Sequence, residues 1–188
     1  DFSFKISIEK SYKTIINSKN IKIKSKIKSI LNILKKKYDL SNCTISVLNE
    51  IPTHNGLGSG TQLALSVSYL IMKLNGIKID TSQIACLLKR GLRSGVGIES
   101  FNQGGFNIDV GKLKNTQGIP INILNIKWPE NWKITLITDD NLIGVHGKNE
   151  VKAFKKLGNV SKMQTAHNCE SLLMKIIPGL IEKNFDEF

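Results

Sequence analysis

The stretch Pro52-Thr53-His54-Asn55-Gly56-Leu57-Gly58-Ser59-Gly60-Thr61-Gln62 restricts the fold more than any other part of the chain. Three glycines within five residues allow left-handed backbone and a close approach to a ligand, and an apolar run follows at once. In that run Leu63, Val67, Leu70 and Leu74 recur at helical spacing, and Ala64, Leu65 and Ile71 widen the stripe until little of the helix is polar. Upstream, Cys43–Ile51 alternates as a strand does. Strand, glycine loop and buried helix in this order aim backbone N–H groups and a positive helix end at an anion, which suits phosphate or pyrophosphate. The plain alternative is a tight strand-to-helix connection. No Lys follows the last glycine and no GxGxxG is present, so neither a Walker loop nor a dinucleotide fingerprint is announced.

The flanking segments read as mixed α and β. Phe2–Glu9 alternates and predicts a strand with one wet face, and Lys24–Tyr38 predicts an amphipathic helix whose lysines form a solvated face. Asn75-Gly76 ends the central helix, and Asp80-Thr81-Ser82-Gln83 opens a short second one. Beyond Pro120, Ile121–Ile126 and Trp132–Thr138 read as two strands separated by Pro129, and Asp139-Asp140-Asn141 as a turn. Asn149 and Ser161 each cap a helix, the second stopped by Pro178-Gly179.

A second glycine-rich stretch, Arg90 to Asp109, holds the only two arginines, Arg90 and Arg93. Arg grips phosphate or carboxylate bidentately where Lys cannot, although both residues could simply cap the preceding helix. Asp109 is a candidate metal ligand or proton acceptor, or a turn residue. His54 in the central loop and His146 between Gly144 and Gly147 are candidates for hydrogen bonding to phosphate or for moving a proton.

The net charge of +12 admits nucleic acid, a membrane surface or small anions as partners. The first fifty residues carry eleven lysines against four acids, with no arginine among them and few aromatics between them. Nucleic-acid readers favour Arg forks and stacking rings, so no nucleic-acid partner is expected; no apolar run reaches a membrane span, so no membrane is expected either. Cys43, Cys86 and Cys169 lie far apart without metal-site spacing, which fits a reducing cytoplasm. The 188 residues suffice for one domain and part of a second; the start at Asp1 without Met and the end at Phe188 lead us to expect a piece of a longer protein.

With both glycine-rich stretches in view, the chain resembles the GHMP kinase superfamily. Pro52 followed by Gly56-Leu57-Gly58-Ser59 looks like that superfamily's phosphate loop, while Gly60-Thr61-Gln62 departs from its usual small-residue run. Four blocks, His54–Val67, Arg90–Gly111, Trp128–Ile137 and Gly144–Phe154, are similar to the β-ribofuranosylaminobenzene 5'-phosphate synthases of methanopterin biosynthesis. In mevalonate-type kinases of the superfamily, Ser-Gly-x-Asp supplies the catalytic base. Here Ser94-Gly95-Val96 leads to Gly97, so that carboxylate is missing.

The resemblance implies an α+β, two-domain GHMP-kinase-like fold, residues 1–128 forming the N-terminal domain and 129–188 an incomplete C-terminal one. It implies a transferase condensing phosphoribosyl pyrophosphate with p-aminobenzoate or a 4-hydroxybenzoate-like acid, and a homodimer. Gly56, Leu57, Gly58, Ser59, Gly60, Thr61 and Gln62, with Gly104 and Gly105, would then contact the phosphates. Mg²⁺ would be held by Ser59 and Glu99, with no organic cofactor. Arg90 and Arg93 would take the 5-phosphate or the aromatic carboxylate. A kinase of the same superfamily, using ATP, is the second expectation, and a basic nucleic-acid-binding module the third.

Overall fold

A computed structural model describes residues 3–52, 56–112, 118–137, 147–158 and 160–188. The chain divides into two compact units, Asp1–Leu124 and Asn125–Phe188.

In the first unit, β1 (Lys5–Lys10) pairs antiparallel and β2 (Ile15–Asn17) pairs parallel with the central β3 (Cys43–Asn49), giving a mixed sheet of order β1-β3-β2. The register sets Ile8 and Ile16 on either side of Ile45, which is fully buried. Strand β2 has no counterpart in the sequence reading, because three residues are too short to show a period.

Helix α1 (Ile21–Lys35) begins earlier than its apolar stripe suggests. Asn20 Oδ1 accepts from the amides of Lys22 and Ile23 and so fixes the N-terminus. Its stripe, Ile23, Ile27, Ile30, Leu31 and Leu34, is buried against α2 (Ser59–Leu74), whose Leu65, Val67, Ile71 and Met72 complete the core with Ile45. Each such side chain contributes roughly 1.5–3 kcal/mol by leaving water.

Helix α2 closes as expected. Gly76 takes φ 67°, and Ile77 N donates to Met72 O at 2.9 Å. Helix α3 (Thr81–Leu87) starts at Asp80, whose amide donates to Gln83 Oε1. The second glycine-rich stretch then folds partly into a helix, α4 (Val96–Asn102), followed by β4 (Phe106–Asp109), which pairs with β5 (Asn122–Ile126). The fold class is therefore α+β with a mixed sheet, as expected.

The second unit contains α5 (Gly147–Lys156), α6 (Lys162–Ser171) and α7 (Ile177–Glu182). Ser161 caps α6 by accepting from Gln164 N at 3.1 Å. Three expectations fail in this unit. Asn149, read as a cap, lies inside α5, which begins at Gly147. Residues 132–137, read as a strand, are not one: no strand pairs with them among the described residues, and Ile134 and Ile137 are exposed. Trp132 instead packs edge-on against Trp128 and Phe185. Nor do Pro178-Gly179 stop the last helix. The π-helical turn Leu172–Ile176 precedes them, with Ile177 N donating to Leu172 O. Pro178 therefore falls in the first turn of α7, where its missing N–H costs nothing, and the chain leaves helix only at Lys183. Among the described residues no helix is long and apolar enough to cross a membrane.

Candidate functional site

The site is built where the glycine loop enters α2. Gly56 and Gly58 take φ 75° and 63°, the left-handed region, and neither would clash through an added Cβ, so conformation rather than space requires glycine there. Gly58 is the N-cap of α2 and carries no side chain to cap it. Its carbonyl accepts from Thr61 N at 2.9 Å and Gln62 N at 3.1 Å, so the amides of Ser59 and Gly60 are those the turn offers to an outside acceptor. Ser59 is buried at the head of the helix, and Leu57 is half-buried in the loop.

The first turn of α2 meets the start of α4. Gln62 Nε2 donates to Gly97 O at 2.9 Å, and a Cβ on Gly97 would lie 3.6 Å from Thr61 Cγ2. The position where related kinases carry a base thus faces Thr61 and Gln62, two of the residues that depart from the kinase loop. A Cβ would fit there in ordinary contact.

Asp109 organises the α4 end. Its Oδ2 accepts from Ser94 Oγ at 2.7 Å, Gly95 N at 2.7 Å and Val96 N at 3.3 Å, and its Oδ1 from Gly111 N at 2.9 Å. Burial pushes its carboxyl up, but the donors from Ser94, Gly111, Gly95 and Val96 together outweigh this and hold it below the usual carboxylate range. A carboxylate so occupied is a weak proton acceptor and a strong clamp. Gly95 is buried beneath it, where a Cβ would meet Pro120 O at 2.7 Å.

The remaining candidates are spread around this centre. Glu99 stands in the first turn of α4, its Oε2 accepting a long bond from Gln103 Nε2 at 3.4 Å. No hydrogen bond joins it to Ser59 among the described residues, and no group of three His, Cys, Asp or Glu side chains could hold a metal there. Gly104 and Gly105, both left-handed, form the turn from α4 into β4, at the far end of a seven-residue helix about 10 Å long. Asn107 Nδ2 ties down both carbonyls, at 2.9 and 3.3 Å.

Arg93 is exposed. Arg90 is half-buried beside Gly60, with Nη1 3.6 Å from where a Gly60 Cβ would stand, and its Nε is buried without a hydrogen-bond partner. His54 and His146 lie outside the described residues. Sequence reasoning did not find Lys26 and Ser29 of α1, which line a cavity with Arg90 and Gly60. Read along the helix they belong to its solvated face, and only the packing of α1 on α2 brings them to a site.

Residues 25–108 match the GHMP kinases N terminal domain. The chain is 36% identical over 157 residues to the beta-ribofuranosylphenol 5'-phosphate synthase of Methanocaldococcus jannaschii, covering 77% of this chain and 48% of that protein. It is 33% identical over 156 residues to the synthase of that name from Archaeoglobus fulgidus, covering 77% and 49%. A third, from Methanothermobacter thermautotrophicus, is 29% identical over 154 residues, covering 76% and 47%. The chain spans about half the length of these curated relatives. Over residues 25–108 the chain is thus similar to the GHMP kinases N terminal domain, and over about three quarters of its length to the beta-ribofuranosylphenol 5'-phosphate synthases.

Proposed function

We propose that the protein is a β-ribofuranosyl arene 5'-phosphate synthase, a transferase of methanopterin biosynthesis. It condenses phosphoribosyl pyrophosphate with an aromatic acid. The ring carbon bearing the carboxylate bonds to the ribosyl C1 and pyrophosphate leaves with the C–O bonding pair. The pair of the C–COO⁻ bond then restores the aromatic ring as CO₂ departs. The names of the relatives specify a phenol product, which favours a 4-hydroxybenzoate-like acceptor over p-aminobenzoate.

The observation that carries this reading is the meeting of Gly97 with Thr61 and Gln62. Where an alcohol-phosphorylating kinase needs a base, this protein has a glycine carbonyl engaged by Gln62, and the neighbouring carboxylate of Asp109 is already occupied by four donors. A reaction that expels pyrophosphate and CO₂ has no net proton to remove, so it does not need that base.

In this reading the Ser59 and Gly60 amides and the positive end of α2 stabilise the departing pyrophosphate, and Arg93 approaches the 5-phosphate. Glu99 keeps acceptor capacity, which suits a cation that takes few protein ligands and fills its shell with phosphate oxygens and water. Mg²⁺ held by Glu99 and Ser59 would neutralise charge on the leaving pyrophosphate. Three free cysteines accord with a cytoplasmic setting.

The test uses the full-length protein. Carboxyl-labelled 4-hydroxybenzoate and p-aminobenzoate are supplied with phosphoribosyl pyrophosphate and Mg²⁺, and released CO₂ is counted. The expected result is release that depends on both substrates. ATP turnover onto an alcohol with no CO₂ release would return the protein to the kinases.

A further inference from the structure

Beside the first turn of α2 lies a half-open cavity of about 160 Å³. Its floor is aliphatic: Ile30 of α1, Leu63 of α2 and Leu88 just after α3 are all buried. Its rim is polar and cationic, formed by Lys26 and Ser29 of α1 and by Arg90. An aliphatic cavity of about 150 Å³ admits one benzene ring. An apolar floor under two cations adds an anionic substituent to that ring, since a guanidinium fork and an ammonium recognise carboxylate or phosphate, and on the synthase reading the ring carries carboxylate.

Two details of Arg90 point the same way. Its Nε is buried with no hydrogen-bond partner, so no protein acceptor at that atom competes with a ligand for the guanidinium, which a ligand would meet through its outer nitrogens. Its Nη1 lies along the first turn of α2, 3.6 Å from the Cβ that Gly60 lacks. Gly60 is therefore common to the cavity wall and to the turn that offers its amides. Whatever ring occupies the cavity has its anionic end next to that turn.

We propose that this cavity is the aromatic-acid subsite, the ring lying on Ile30, Leu63 and Leu88 and its carboxylate held by Arg90 with Lys26 beside it. The assignment rests on the synthase reading and deepens it: of the two arginines, Arg90 takes the aromatic carboxylate. It also fixes the kinetic role. The carboxylate is lost during the reaction, so a cation gripping it stabilises the bound substrate at least as well as the transition state. Arg90 then acts on KM for the aromatic acid more than on kcat.

The test titrates the full-length protein by ¹⁹F NMR with 4-fluorobenzoate and with the neutral 4-fluorobenzamide, and separately with Mg²⁺-pyrophosphate. The wild type is expected to hold the benzoate about tenfold more tightly than the amide. Arg90→Gln removes that preference, and Ser29→Phe, which fills the cavity from an exposed position, abolishes benzoate binding. In Ser29→Phe pyrophosphate affinity stays within about twofold, since the added ring stands on α1 and the pyrophosphate turn shares only Gly60 with the cavity wall. Circular dichroism verifies that both variants fold.

Absence of benzoate binding to the wild type overturns the proposal. So does binding indifferent to both variants, or loss of pyrophosphate along with benzoate in folded Ser29→Phe. CO₂ release measured on the same samples keeps the two readings apart. Wild-type release by Ser29→Phe overturns the cavity and leaves the synthase. Benzoate binding that obeys both variants in a protein releasing no CO₂ upholds the cavity and overturns the synthase.

Discussion

Gly58 and Asp109 do opposite work at the two ends of the same corner. Gly58 holds φ 63° with open space around it, so its replacement is limited by backbone strain alone. Gly58→Val should therefore cost about 1–2 kcal/mol and abolish pyrophosphate binding, whereas Gly58→Asn, which tolerates the left-handed region, should keep most of it. Calorimetric titration with Mg²⁺-pyrophosphate separates them; equal affinity in both variants would remove the loop from the anion site. Asp109 is held below its usual range by Ser94 and three backbone amides against the pull of burial. A depressed folded pKa contributes stability that is complete above the unfolded value of about 3.9 and is lost as pH falls through the folded value. Asp109→Ala should lower stability by about 1–3 kcal/mol at neutral pH, through amides left unpaired. In urea titrations the gap between wild type and variant should stay constant from neutrality to about pH 5 and close as the wild-type carboxylate protonates below that. A gap that widened on acidification would mean that Asp109 is not the clamp.

Helix α1 ties fold to site, since its buried stripe packs on α2 while its neighbouring turn supplies Lys26 and Ser29. Ile27→Ala, at a fully buried position, should cost about 2–5 kcal/mol, and Asn20→Ala, removing the cap, about 0.5–2 kcal/mol; urea midpoints read both. Features set by local chemistry were legible in the sequence: the buried stripe of α2, the Gly76 stop, the Asp80 and Ser161 starts, and the strand at Cys43. Features set by distant partners were not. Residues 132–137 alternate like a strand yet find no ladder among the described residues, and Trp132 turns to Trp128 and Phe185 instead. Pro178 reads as a stop because the sequence does not show the π turn that accommodates it. Arg90 was legible as a type of residue, since Arg beside glycine already suggests an anion. Its cavity was not, because Lys26 and Ser29 on one helix and Gly60 on another become neighbours only when α1 packs on α2. Helix α4 was hidden by Gly97 within it and Gly95 before it, whose low helix propensity is overridden by the Asp109 clamp at its start.

At the scale of the whole molecule the net charge of +12 must be reconciled with a small-anion site. A field of that sign raises the local concentration of small phosphorylated anions and speeds their encounter with the loop, whichever lysines supply it. Such steering acts through solvent and is screened over a Debye length of about 10 Å at 0.1 M salt. Contacts to the Ser59 and Gly60 amides act at hydrogen-bond distance and are screened far less. Raising salt from about 20 to about 200 mM should therefore slow association of Mg²⁺-pyrophosphate several-fold and leave its dissociation rate nearly unchanged, as stopped-flow measurement would show. A nucleic-acid-binding module would behave otherwise. Its affinity for a duplex would fall by orders of magnitude over the same range as counterions are released, and Gly58→Val would leave it unaltered. If duplex binding at low salt survives Gly58→Val while pyrophosphate binding does not, the lysines make a general anionic attraction and the loop makes the site. If both vanish together in a folded variant, charge and loop form a single surface, and steering and recognition are not separate.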